Sequence, residues 1–256
     1  MDYGDFIRDS FSFMKEGVFG NTGRWLRLVL ATLIIGIPLN GYVMRIYRGP
    51  ATAPEADRWG NLFIDGLKLL VVGLIYAIPI FVLSAIIYLP VWSGLVRMMQ
   101  GDPSARASFA HWAPNPGLLA LLYIFEIAIA IIVPVAQIRF ARTGSFAEAF
   151  NFGAILETIG KIGWLFYILA IIIIAIVVGL PVGILIFIFA LIAGLTFVLS
   201  GMSMAVLFGW IAVAVIIGLL LMPLITVFQA RYMTRVYESA TPAVPVVQVP
   251  PAVPAE

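Results

Sequence analysis

The sequence predicts an all-α fold, a polytopic transmembrane helical bundle, and three observations carry that prediction. Residues 162–230 form a run of 69 positions without one Asp, Glu, Lys, Arg or His. The whole chain is 62% hydrophobic and 11% charged, against about 25% charged residues in globular domains. Two further apolar stretches, 69–96 and 118–137, are each as long as a bilayer crossing requires, roughly 20 residues per helix. A water-soluble domain would have no solvent-facing surface over such lengths. The expected architecture has four to six crossings, two amphipathic interfacial helices and a first apolar segment that either re-enters or spans.

Composition narrows the function. Fifteen Lys and Arg against 13 Asp and Glu give a formal net charge of +2. That balance is too mild for nucleic-acid binding, and no basic stripe interleaved with aromatics appears. A slight cationic excess suits anionic headgroups. The chain has no cysteine, which removes disulfides, thiolate metal sites and cysteine catalysis. The first 20 residues carry three Asp and one Glu and no uninterrupted apolar core, so a secretory signal is not expected.

The elements follow in order. Residues 5–19 suit an interfacial helix, because Ile7, Phe11, Met14 and Val18 recur at spacings of four, three and four on one face. Asp5, Arg8, Asp9 and Glu16 fall elsewhere around it. The apolar segment between Arg27 and Arg45 is 17 residues long and is interrupted by Pro38, Asn40 and Gly41. Proline removes a backbone donor and kinks or ends a helix. Two halves of about a dozen residues are short for spanning and fit a re-entrant hairpin; a single kinked span over 25–47 is the rival. Four Lys/Arg precede the segment and four more lie in 45–68, so the positive-inside rule leans toward the hairpin.

Residues 49–57 read as a polar turn. Helical spacing then begins at Trp59 and runs into the charge-free stretch 69–96, with Pro79 and Pro90 as expected kinks. Asp65 and Lys68, three apart, are placed to pair. Residues 97–117 form a loop rich in Gly, Pro and Asn. It holds the one histidine, His111, so a metal site built on histidines is ruled out. A span over 118–137 follows. Ser145 and Glu148 have the spacing of a capping box, opening a second surface helix with Phe152, Ile155, Ile159 and Ile162 on one side.

The long run divides at Leu180–Gly183 and Ser200–Ser203, giving spans near 164–180, 184–200 and 204–228. Small pairs such as Gly179/Gly183 and Ala214/Gly218 would let helices approach closely in lipid. If 184–200 does not cross, 13 of the 15 Lys/Arg fall on the N-terminal side; if it does, 11 do. Residues 1–238 therefore form the membrane domain. Residues 239–256, rich in Pro, Val and Ala, read as a disordered tail.

Several stretches together resemble an archaeal integral-membrane family, the 4013 domain-of-unknown-function family. They are the opening Met1-Asp2-Tyr3-Gly4-Asp5, IPLNGYVMRIYRG at 37–49, WGNLFIDGLKLLVVGLIYAIP at 59–79, FAEAFNFGAILETIGK at 146–161, and the closing IIGLLLMPLITVFQARYMTRVYE. The resemblance covers about residues 1–238. It implies a multi-pass membrane protein and brings no activity and no catalytic residue.

Glu126 is the sharpest candidate for chemistry. It sits midway through an apolar span, where an acid costs about 2.5–3.5 kcal/mol on insertion scales. Tyr123 lies one turn earlier on the same face, and Ala130 one turn later leaves room for a neighbour. The functional reading is an intramembrane proton or cation site; the plainer one is a protonated Glu making one interhelical hydrogen bond, its neutral form favoured by desolvation. Asn40, beside Pro38 and Gly41, either lines a re-entrant tip or satisfies backbone groups freed by the break. No zinc-protease, nucleophile-elbow or dinucleotide motif occurs. The region from Gly153 to Lys161 has the wrong spacing for a phosphate loop.

The expected protein is therefore not an enzyme and takes no cofactor and no metal. It is a scaffold or accessory protein of the cell membrane with a cytoplasmic N-terminus. Its partners are the lipid bilayer and a second copy or another membrane protein, with no nucleic acid. The alternative is a transporter or channel using Glu126; an enzyme acting on lipid ranks third.

Overall fold

The computed structural model describes residues 2–102, 104–105 and 112–240. His111 and the proline-rich tail beyond residue 240 lie outside the described residues. Eight α-helices account for most of the described chain, and no strand occurs among the described residues. Four helices are short: α1 (Tyr3–Met14), α2 (Thr22–Leu33), α3 (Ile37–Tyr47) and α6 (Phe152–Ile162). The other four are long and apolar enough to cross a membrane: α4 (Trp59–Met99), α5 (Pro116–Thr143), α7 (Trp164–Leu199) and α8 (Met204–Glu238). The protein is thus a polytopic helical bundle with four candidate crossings, the low end of the expected range.

The reduction to four comes from α7. It continues through Pro181 for 36 residues, so the expected division at Leu180–Gly183 does not exist. In hydrocarbon a chain break would expose backbone groups with no water to satisfy them, and a kinked helix costs less. The second division holds: Gly201 (φ 72°) and Met202 (φ 60°) turn the chain between α7 and α8.

The first apolar segment is also broken in a different place. Ile35 (φ 54°) and Gly36 (φ 68°) make the turn, and Pro38 sits in the first turn of α3. A proline there loses nothing, because the first amides of a helix have no intrahelical partner. Pro38, Asn40 and Gly41 are therefore residues of α3 rather than the break. At 1.5 Å per residue α2 and α3 rise about 18 and 16 Å, short of a 30 Å core. Ile35 at the turn is 85% exposed.

The helix starts are capped by side chains of their own sequence. Asp2, Asn21, Asn115 and Asn151 accept from the first-turn amides of α1, α2, α5 and α6. Ser145 makes no such bond. The expected capping box is absent: residues 146–150 form a 3₁₀ turn, and Glu148 instead pairs with Arg139 and accepts from Asn151 Nδ2 at 3.1 Å.

Packing concentrates at one end, called the base. There α1, α2, α3 and α6 surround the adjoining ends of the long helices. Gly41 of α3 and Gly66 of α4 set the closest contact. A Cβ on Gly41 would stand 1.9 Å from Leu62 O, and one on Gly66 would stand 1.8 Å from Ile37 O. The contacts Ile37–Gly66 and Gly41–Leu62 run in opposite order, so the two helices are antiparallel. Past Ile174 in α7 and before Pro223 in α8, no residue is buried. The long helices form two hairpins, α4–α5 and α7–α8. Phe189 against Trp210 (5.1 Å), with Trp210 Nε1 donating to Thr196 Oγ1 (2.7 Å), ties the second together.

Ion pairs join the elements of the base. Arg231 of α8 is buried; it donates from Nε and Nη2 to Asp9 (2.7 and 3.3 Å) and from Nη1 to Pro50 O (2.7 Å), and it lies over the Phe13 ring. Arg142 of α5 meets Glu238 of α8 at 2.8 Å. Arg48 takes Asp65 at 2.8 Å, which replaces the expected Asp65–Lys68 pair. Recruitment of Asp9 turns α1 so that Ser10 and Phe13 are buried while Phe11 is exposed. Of the expected face through Ile7, Phe11, Met14 and Val18, Val18 is buried and Ile7 and Met14 pack against the core, so Phe11 alone departs from it. On α6 the buried side is Ile155, Ile159 and Ile162, as the spacing predicts, with Phe152 half-exposed.

Candidate functional site: an uncharged polar cavity between the hairpins

Where the two hairpins meet the base, α3, α4, α5, α7 and α8 line a half-open cavity of about 290 Å³. Its apolar wall includes Val43, Leu69, Ile171, Ile174 and Met233. Five polar side chains also line it: Asn40 and Tyr47 of α3, Gln137 of α5, and Thr226 and Gln229 of α8. No lining residue carries a charge. The ion pairs of Arg231 and Arg142 lie within one to two helical turns of Gln229 and Gln137 along their own helices, so the cavity sits just beneath the charged base.

The helices fix these groups rigidly. Asn40 and Tyr47 are seven apart on α3, hence on one side. Thr226, Gln229 and Met233 recur at three and four on α8. The glycine contact packs α3 closely against α4, and Asn40 of α3 and Leu69 of α4 both line the cavity.

Hydrogen bonding separates this set from the other polar groups within the helices. Thr32, Thr158, Thr196 and Thr234 each return their hydroxyl to the carbonyl four residues earlier. Thr226 does not. The side chains of Asn40, Tyr47, Gln137, Thr226 and Gln229 have no hydrogen-bond partner among the described residues. Elsewhere the buried phenols find carbonyls: Tyr167 Oη donates to Ile131 O at 2.6 Å, Tyr232 Oη to Ala170 O at 3.1 Å, and Tyr76 Oη to Ala149 O at 2.6 Å. Tyr47 is buried, Asn40, Gln137 and Thr226 are half-buried and Gln229 is exposed, so their donors and acceptors stay open to a ligand. Burial pushes the Tyr47 phenol up to about 12, so it stays protonated and offers a donor as well as an acceptor.

Glu126 and Tyr123 do not line this cavity. Both are exposed, and neither has an ion pair or hydrogen bond among the described residues. They nevertheless belong to one stripe of α5. Tyr123, Glu126, Ala130, Pro134 and Gln137 recur at three, four, four and three, and the last three line the cavity. Glu126 is one turn beyond Ala130 on the side away from the base. Of the residues singled out from sequence, Asn40 and Ala130 line the cavity; Pro38 and Gly41 pack within the base, where both are buried.

Sequence reasoning passed over Tyr47, Gln137, Thr226 and Gln229. The available signal was the carboxamide at each end of an apolar span, Gln137 and Gln229, together with a threonine inside the charge-free run. A larger cavity, about 460 Å³, lies within the base and is lined by Asp9, Glu16, Arg24, Glu55 and Arg231. Arg24 pairs there with Glu55 and Arg231 with Asp9.

The family model described as a protein of unknown function, DUF4013, matches residues 26–190. The chain belongs to the DUF4013 family. The matched region runs from α2 into α7 and so holds Asn40, Tyr47 and Gln137 of the cavity; α8 lies beyond it. No curated protein and no solved structure matches the chain.

Proposed function

We propose that this DUF4013 protein is a non-enzymatic, multi-pass protein of the cell membrane that binds a lipid between its two hairpins, with the N-terminus cytoplasmic. One observation carries the reading: a polar, uncharged cavity just beneath the charged base, continuous along α5 and α8 with apolar helix faces. An amphiphile has the same division, a polar head at that depth and an apolar tail deeper. Ligand cavities are mostly apolar with a few placed polar groups, and this one matches that description. The lining residues include no carboxylate, imidazole, amine or thiol. Tyr47 keeps its proton, so the cavity offers binding groups rather than a general base. The same lipid contact suits a scaffold or accessory role beside another membrane protein or a second copy.

The test is native mass spectrometry of the protein released from mild detergent, with the bound lipid identified. Wild type is expected to retain lipid in fixed stoichiometry. Ala130→Trp, which fills the cavity mouth from α5, is expected to release it while the melting temperature holds. A wild-type protein free of lipid ends this reading.

A second reading, transport coupled to a proton or cation at Glu126, draws on the stripe that joins Glu126 to Gln137. Glu126→Gln would then abolish a proton- or cation-dependent flux in liposomes without changing expression. Unchanged flux removes it.

A further inference from the structure

The proposal above leaves the headgroup unspecified, and the cavity's own chemistry narrows it. We propose that the cavity is a binding site for an uncharged, hydroxyl-bearing group of glycerol type. This rests on the lipid-binding reading and adds the ligand class.

The argument begins with what the site excludes. A phosphate or ammonium brought beside Asn40, Gln137, Thr226 and Gln229 would lose water and find no opposite charge among the lining residues. Burying an unpaired ion costs several kcal/mol even after relaxation. The charges nearby are already committed: Arg231 to Asp9, Arg142 to Glu238 and Arg139 to Glu148. An ionic headgroup would have to break one of those pairs.

What the site offers is the complement of a polyol. Each carboxamide presents an oxygen acceptor and two N–H donors, and each hydroxyl both gives and takes one bond. A vicinal diol needs that mixture, because every hydroxyl is donor and acceptor at once. Thr226 has forgone the carbonyl bond that Thr32, Thr158, Thr196 and Thr234 make, and Tyr47 is the buried phenol without a carbonyl among the described residues. A site built to hydrogen-bond a hydroxyl rejects analogues lacking it, since its own groups are then left unpaired. The source is either a neutral lipid such as diacylglycerol or a free polyol reaching the cavity from the base side.

The experiment uses the full chain in phosphatidylcholine nanodiscs doped with a photoactivatable diacylglycerol or, separately, a photoactivatable phosphatidylglycerol of the same chain length. Crosslinks are mapped by peptide mass spectrometry, with and without glycerol in the buffer. Diacylglycerol is expected to crosslink within α5 and α8 around Gln137 and Thr226, in preference to phosphatidylglycerol by about tenfold, the factor given by one retained hydrogen bond of roughly 1.4 kcal/mol. Gln137→Leu and Gln229→Leu are each expected to lower that yield by a similar factor. Each removes a polar group without a partner, so the melting temperature is expected to hold or rise, which separates a binding role from a structural one. Competition by glycerol supports the same chemistry and assigns the source to a free polyol; indifference to glycerol assigns it to the lipid. Equal crosslinking by phosphatidylglycerol, or a yield unchanged in both variants, overturns the headgroup assignment while leaving lipid binding in place. Absence of crosslinks from every lipid, with glycerol also without effect on stability, overturns both.

Discussion

At the scale of single residues, glycine carries the tightest constraint. Gly41 and Gly66 lie where a Cβ would meet backbone oxygen at less than 2 Å, and backbone cannot yield as a flexible side chain can. Gly41→Ala or Gly66→Ala should destabilise the base by about 3 kcal/mol or more, the upper range for overpacking, and show as aggregation or a large drop in melting temperature in detergent. At Gly179, Gly183, Gly209 and Gly218 a Cβ would meet nothing within 4 Å. Alanine there should leave stability intact or raise it by about 0.5–1 kcal/mol through helix propensity. The small-residue pairs of the long run are thus not used for packing within the chain, and sequence spacing had no means of separating them from Gly41 and Gly66.

One carboxylate supplies a pH test at the same scale. The Arg139 guanidinium beside Glu148, followed by the Asn151 amide, holds its carboxyl below the ordinary value of 4.5. A depressed pKa contributes stability that is fully present above 4.5 and is lost as pH falls through the lowered value. Amide protection factors in residues 146–162, the exchange rates corrected for their intrinsic pH dependence, should therefore fall on acidification below that range, and Glu148→Gln should remove this acid dependence. Protection factors independent of pH in the wild type would show that the Arg139–Glu148 contact does not order this corner.

Elements tell a different story from residues. The long apolar helices were legible, because charge-free length has one physical solution in a bilayer. Their interruptions were not. Pro181 reads as a break in sequence, yet α7 passes through it; Pro38 reads as a break and instead starts a helix. The rule that proline ends helices depends on whether its missing donor was needed, and depth in the membrane and position in the first turn decide that. The start of α6 was misassigned for a related reason. Ser145 and Glu148 have capping-box spacing, but Arg139 takes the glutamate, and the cap passes to Asn151, whose Oδ1 accepts from Ala154 N at 3.2 Å. Asn151→Ala should cost about 1 kcal/mol, measured as a lower melting temperature, whereas Ser145→Ala should change little. The reverse order would restore the capping box. The polar cavity was invisible for a further reason: its five side chains come from three helices far apart in sequence, and nothing in any one of them marks it as unpartnered.

For the whole molecule, four candidate crossings narrow a topology that sequence left open. Both hairpins begin and end at the base, so α1, α2, α3, α6 and the end of α8 share one side. Among the described residues only Arg97, in the last turn of α4, falls on the other; the other 13 described Lys/Arg lie on the base side. Charge and helix length, which favour different counts when the long run is cut in three, agree once α7 is continuous. The positive-inside rule then favours a cytoplasmic base, which is the orientation proposed above. Cysteine scanning tests it cleanly, since the chain has no native cysteine. Single cysteines at Ser12, Ser145 and Ser239 should all resist a membrane-impermeant maleimide in intact cells and react after lysis, while one at Gln100 should react in intact cells. Labelling of Ser239→Cys from outside, with Ser12→Cys protected, would mean an odd number of crossings. The cavity would then no longer lie between two hairpins that return to a common base.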